Sequence, residues 1–273
     1  MTLQLQVENL NFNYKEDTKF SLKNINFCVD SGEIICITGK IGSGKSTLLY
    51  ALKGILKFNG KAYLNYEHEK IENLKNNSGL LMQYAEDQLF GNIVKEDIGF
   101  ALTNLKLSTE EKVLKIKNAM ESVGLDYIKY ADQNVYSLSG GERRLVALAG
   151  AIILQPKVLF LDEPFIMLDR IVADKIMKMI KNYTMHNNAI VIVATHDNSY
   201  AHMFTKTLVL NNGEQTYFGD TDKLYSDKKK FKLLNIEMPD IYKVLNNCKQ
   251  AGIVVNKPYS LSNIAKQIAE AKL

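Results

Sequence analysis

The chain has 273 residues, 46% hydrophobic and 23% charged, with a net charge of +4 and a pI near 8.7. This composition excludes a disordered chain and supports a core of ordinary size, in one α/β domain with an appendage or in two small domains. The positive charge is mild and forms no long basic run, so no nucleic-acid partner is expected.

Cys28, Cys36 and Cys248 show no metal spacing, and their odd, scattered count points to a reducing compartment. The opening "MTLQLQVENL" has neither the basic nor the apolar region of a signal peptide. The longest apolar run, residues 145–154, is about half of the ~20 residues that cross a bilayer. A cytosolic chain is expected.

Alternation at Leu3, Leu5 and Val7 predicts a strand with one buried face. "EIICIT" (33–38) is continuously apolar, as in the middle of a covered sheet, and runs into "GKIGSGKST" (39–47). "STLLYALKGIL" then has helical character, and the Asn59-Gly60 turn signal introduces the strand "KAYLNY" (61–66). Residues 92 to about 136 are polar and lysine-rich, with helical spacing at Val113, Ile116 and Met120. They predict an inserted helical subdomain, which reaches about residue 150 when the next helix is counted.

That next helix spans 140–154. It is followed by the buried strand "KVLFLDEP", a helix over 171–183, a second buried strand "AIVIVATH", and "TKTLVLNNGEQTYFG" as a strand with a turn. Strands alternating with helices imply a largely parallel sheet. The rhythm breaks near Asp227. Pro239 marks a helix start, Ile241, Val244, Leu245 and Cys248 make one apolar stripe, and Gly252 ends it; a short helix is predicted over 263–271. The reading is an α/β domain over 1–225 and a helical appendage over 226–273 that mediates dimerisation.

Gly39, Gly44, Lys45 and Ser46 complete a phosphate loop in its required strand–loop–helix context. Its backbone, from Gly39 through Lys40, Ile41, Gly42 and Ser43 to Thr47, would wrap a β-phosphate. Lys45 would reach the β/γ oxygens and the Ser46 hydroxyl would bind Mg²⁺. Asp162 and Glu163 end an apolar strand, where the ligand crevice of an open sheet lies. Asp162 is expected in the Mg²⁺ shell, leaving Glu163 to polarise the attacking water. Alone, His196, Gln83 and Tyr14 are ordinary: a surface histidine, a surface glutamine, and a tyrosine that either stacks on adenine or simply packs.

Together these residues form an ordered set, with "LSGGE" (138–142) as its most specific member. The chain resembles the nucleotide-binding subunit of an ATP-binding-cassette (ABC) transporter. The match covers "GKIGSGKST", Gln83, "LSGGE", "VLFLDEP", Leu168-Asp169 and His196 in "ATHD", spanning residues 3 to about 220. Within that family it is similar to the energy-coupling-factor type, which serves vitamin and cobalt or nickel uptake. The similarity lies in "QYAEDQLFGNIVKEDIGFALTNLKLS", in Gly150 of "RRLVALAG", and in a tail with Gly252, Pro258 and a final helix. Tyr84-Ala85, Phe165-Ile166-Met167 and Glu142 depart from the usual pattern.

The resemblance implies head-to-tail pairing with a second ABC ATPase subunit, the same chain or a paralogue. Each ATP is then held between one phosphate loop and the partner's signature, so that Ser139, Gly140, Gly141 and Glu142 complete the other chain's site. It also implies that Gln83 contacts Mg²⁺ and the attacking water, that His196 holds the γ-phosphate, and that Asp169 lines the dimer interface. The implied further partners are a transmembrane coupling protein and a substrate-binding membrane protein, with the chain peripheral on the cytoplasmic face. The rival readings are a soluble ABC ATPase of nucleic-acid or ribosome metabolism and a small-molecule kinase. Against the first, the chain shows no second cassette, zinc-binding cysteines or long coiled-coil insertion; against the second stands the signature.

Overall fold

The computed structural model describes residues 3–14, 21–66, 69–71, 74–257 and 259–271; Pro258 lies outside them. Among the described residues, ten strands form one sheet in the order β5-β4-β1-β2-β10-β9-β3-β8-β7-β6. In chain order they are β1 (Leu3–Asn13), β2 (Ser21–Asp30), β3 (Ile34–Thr38), β4 (Asn59–Tyr66), β5 (Glu69–Ile71), β6 (Ser78–Leu81), β7 (Val158–Asp162), β8 (Ile190–Ala194), β9 (Lys206–Asn211) and β10 (Glu214–Asp220).

The expected largely parallel sheet is only half correct. β6, β7, β8, β3 and β9 pair in parallel, whereas β5, β4, β1 and β2 are antiparallel and meet the rest at a single bridge, Lys23 to Glu214. Connection length explains the division. A parallel pair needs a crossover of a dozen or more residues, usually helical, while two residues suffice to turn a hairpin. Asn212 (φ 48°) and Gly213 (φ 79°) make such a turn between β9 and β10. β2 was not expected at all. Asn24 sits at φ 50°, and this left-handed residue breaks the alternation that Leu22, Ile25, Phe27 and Val29 would otherwise display.

The parallel strands are buried on both faces. On one side Ile35, Ile37, Phe160 and Ile192 pack with α1 (Lys45–Leu52). On the other Cys36, Leu161 and Val193 pack with the helical subdomain. That subdomain contains α2 (Val94–Gly99), α3 (Thr109–Ser122), α4 (Tyr127–Tyr130) and α5 (Gly140–Ile152); α6 (Arg170–Asn187) joins it on the same face of the sheet.

The tail comprises α7 (Thr221–Ser226), α8 (Lys228–Leu233), α9 (Asp240–Gln250) and α10 (Leu261–Glu270). It is no loose extension. Leu224, Tyr225, Ile241, Tyr242 and Ile264 form a core with Ala201 and Val209 of the main domain. All three cysteines are free thiols.

Tyr225 is 1% exposed, and its ring stands 5.0 Å from that of Tyr242. Truncating a buried ring to alanine costs about 3–5 kcal/mol. Tyr225→Ala should therefore lower stability in urea melts by that amount and open the segment after residue 226 to limited proteolysis.

Candidate functional site

β3 delivers the chain into the phosphate loop, where the backbone requires glycine. Gly44 caps α1 at φ 105°, and a Cβ there would lie 2.8 Å from Leu22. A Cβ on Gly39 would lie 2.2 Å from the Leu210 carbonyl oxygen. Lys45 is buried and bends back on the loop, donating to the carbonyls of Gly39 (3.0 Å) and Lys40 (3.2 Å). Burial pushes its pKa down, and Glu163 and Asp162 partly offset that shift. Lys40, Ile41 and Gly42 are exposed. Tyr14 packs edge-on against Phe12, stays 42% exposed, and places its hydroxyl 3.4 Å from Thr47. It thus both packs and stands beside the loop.

The end of β7, one strand beyond β8 from the loop, holds the acids. Asp162 is fully buried, and neither carboxylate oxygen has a hydrogen-bond partner. Burial and the Glu163 charge push its pKa up, while the nearby hydroxyls of Ser46 and Tyr50, outside hydrogen-bonding geometry, and the Lys45 charge favour the charged form. The Tyr50 phenol is itself pushed up to about 12, chiefly by burial and by Asp162.

Glu163 adopts φ 46°, a conformation that costs a non-glycine residue about 1–3 kcal/mol and clusters at functional sites. Every group of Glu163 is engaged. Its N–H donates to Ala194 (2.8 Å), and one carboxylate oxygen accepts the Thr195 hydroxyl (2.9 Å). The other oxygen accepts the His196 N–H (3.1 Å) and lies 2.7 Å from the His196 ring. Its carbonyl accepts from the buried Arg144 guanidinium (2.8 Å), whose other nitrogen donates to the Gln83 carbonyl (2.8 Å). Gln83 is half-buried. His196 thus contacts Glu163, a contact that the resemblance does not imply.

The signature begins α5. Ser139 is its N-cap and forms a capping box with Glu142, which accepts the Ser139 N–H (2.9 Å) and hydroxyl (2.7 Å). These bonds, with one from Tyr130, push the Glu142 pKa down. Glu142 therefore builds the helix end in its own chain, beyond the role implied toward a partner. Ser139 and Gly140 are exposed, and nothing lies within 4 Å of a Cβ on Gly140. The helix N-terminus is an open anion site. Asp169 is likewise exposed and caps α6 through the Val172 N–H (3.0 Å). Phe165 finds a pocket within its own chain against Tyr200 (4.6 Å), while Met167 is 91% exposed.

Arg144, Thr195 and Tyr50 escaped the sequence reading. For Arg144 a signal existed, an arginine among the otherwise apolar positions "LVALAGAI" of α5, but not its carbonyl partners.

Comparison with known proteins identifies the family. The model of the ABC transporter family matches residues 22–166. An energy-coupling factor transporter ATP-binding protein of Clostridium tetani is 33% identical over 265 residues, covering 93% of this chain and 92% of that protein. Its counterpart in Caldanaerobacter subterraneus is 34% identical over 263 residues, covering 93% and 92%. The structure of cbiO1 from Clostridium perfringens, described as part of the ABC transporter complex cbiONQ, superposes with TM-score 0.71 at 30% identity, covering 88% of this chain and 98% of that one. The chain belongs to the ABC transporter family, among the ATP-binding subunits of energy-coupling factor transporters. The nucleic-acid and kinase readings find no support among these relatives.

A carboxyl whose pKa is raised on folding costs stability above its unfolded pKa, and the cost is relieved as pH falls through the raised value. Asp162 is such a group. Asp162→Asn should raise the melting temperature of nucleotide-free protein by a few degrees at neutral pH. It should also abolish the extra stabilisation given by MgATP, as thermal melts with and without MgATP will show.

Proposed function

We propose that this chain binds and hydrolyses MgATP at sites shared with a second ABC ATPase, the same chain or a paralogue, to drive import of a vitamin or transition-metal ion. The observation that carries the reading is Glu163, fixed at the end of β7 beside Asp162 and near Lys45, with its carboxylate held by Thr195 and His196. Both phosphate-binding elements, the loop over Lys40 to Gly42 and the signature at Ser139 and Gly140, are exposed. This supports half-sites that a partner completes.

In the mechanism, the loop N–H groups and Lys45 hold the β- and γ-phosphates, and a partner's Ser139, Gly140 and Gly141 close on the γ-phosphate. The donor set suits Mg²⁺: Ser46, Gln83 and Asp162 offer hard oxygens, and the Asp162 carboxylate is buried without a hydrogen-bond partner. When bound, the ion would neutralise charge on the phosphates. His196 turns from Glu163 to the γ-phosphate and so releases the carboxylate. Glu163 then takes a proton from the attacking water while Gln83 orients it. Positioning and charge stabilisation supply most of the rate.

The same reading gives a place for the membrane partners, a transmembrane coupling protein and a substrate-binding membrane protein. Just after Gln83, Tyr84, Phe90 and Phe100 are each more than half exposed, and the two phenylalanine rings meet at 4.4 Å. Phe90 and Phe100 border a cavity of about 260 Å³ that Ala147, Gly150 and Leu154 of the α5 region help to line. An apolar helix end from the coupling protein fits this groove. Among the described residues no helix is long and apolar enough to cross a membrane. A peripheral position on the cytoplasmic face is part of the same proposal. The tail from residue 226, with its own apolar cluster, is the proposed dimerisation element.

Removing a general base costs about 10²–10⁴ in rate. Glu163→Gln should keep ATP affinity, lose turnover by that factor and accumulate an ATP-bound dimer, measured by turnover and light scattering. Hydrolysis within a few-fold of the parent would assign the base elsewhere.

A further inference from the structure

The Arg144 guanidinium is 6% exposed and forms no ion pair among the described residues. A buried charge is costly to keep unless hydrogen bonds satisfy it. Arg144 donates two hydrogen bonds, both to main-chain carbonyls, those of Gln83 and Glu163. Nothing in the motif reading singles this residue out. We propose that Arg144 is a positioning residue for ATP hydrolysis, fixing the main chain of Glu163 and of Gln83 so that both side chains address one water. The proposal rests on the reading of Glu163 as the base.

Three observations converge on it. Glu163 occupies a left-handed backbone conformation that a non-glycine residue does not hold unaided, so its peptide groups must be clamped from outside. The N–H is held by Ala194 of β8, and the carbonyl by Arg144 (2.8 Å) together with the Ile166 N–H (3.3 Å). Second, a guanidinium is a rigid planar fork, so seating two nitrogens on two carbonyls fixes the spacing of those carbonyls. Lysine, with one ammonium, cannot reproduce that spacing. Third, Arg144 stands on α5, about one turn from the signature residues Gly140 and Gly141 at its N-terminus. α5 thereby ties the signature end of the helix to both carbonyls.

The test uses the full-length chain with whichever ATPase partner it requires. Arg144→Met, Arg144→Lys, Glu163→Gln and the two double variants are compared for ATP affinity by calorimetry and for single-turnover hydrolysis of radiolabelled ATP. Misplacing a reacting group by about 1 Å costs about 10²-fold. Arg144→Met should lose about 10–100-fold in turnover with ATP affinity within three-fold of the parent, and Arg144→Lys should fall between the two. In the Glu163→Gln background, either substitution at residue 144 should slow turnover by a much smaller factor than in the parent, because one of the two groups it positions is already gone. A purely structural arginine would give equal factors in both backgrounds, by lowering the folded fraction alike. Multiplicative losses overturn the proposal, as does a parental rate in either Arg144 variant. If Arg144→Met does not fold, Arg144→Lys alone and paired with Glu163→Gln decides by the same criterion. Glu163→Gln turning over at the parental rate is a separate failure, that of the base assignment itself.

Discussion

Asp162 and Glu163, at the carboxyl end of β7, concentrate what the rest of the fold must hold in place. One is a buried carboxylate without hydrogen-bond partners, and the other is a non-glycine residue in a left-handed backbone conformation. Neither is stable alone. β8 takes the Glu163 N–H and supplies Thr195, α5 supplies Arg144, and α1 places Lys45 and Ser46 against the pair. The two faces of the parallel strands are buried in separate cores, which fixes those three elements relative to one another. Stability lost at the strand end is what makes the position ready for a cation and for a proton transfer.

Several of the site's polar groups are paired within the chain. Lys45 occupies the carbonyls of its own loop, His196 occupies the Glu163 carboxylate, and Glu142 occupies the Ser139 hydroxyl. In the proposed cycle each internal bond is exchanged for one to a phosphate or to water. Chemistry then depends on assembly, because the exposed loop and the exposed signature each present only half of a site.

Much of this was legible in the sequence, for identifiable reasons. Continuous apolar runs mark β3, β7 and β8 because these strands are covered on both faces, and their last residues therefore point to the crevice. The glycine loop was legible because its backbone angles admit little else. β2 was hidden by one left-handed asparagine, and the antiparallel half of the sheet by the assumption that every connection is a crossover. Arg144 was invisible in its role because its partners are carbonyls, which carry no side-chain identity to read. The same holds for the Ser139–Glu142 cap: "LSGGE" reads equally as a phosphate contact and as a capping box, and in this state it is the latter.

The central claim is that each ATP site is built from two chains, and mixing two crippled variants tests it most directly. Lys45→Ala damages the phosphate loop, and Gly141→Asp places a carboxylate where the γ-phosphate should lie. Each alone should lose ATP-driven dimer formation, because every site then carries a lesion. Mixed, some dimers combine both lesions in one site and leave the other intact, so the account predicts partial recovery of ATP-driven dimerisation. If the natural partner is a paralogue, the lesions are divided between the two proteins. Where each chain uses only its own loop and signature, every site in the mixture stays damaged, and no recovery in any mixture would contradict the account.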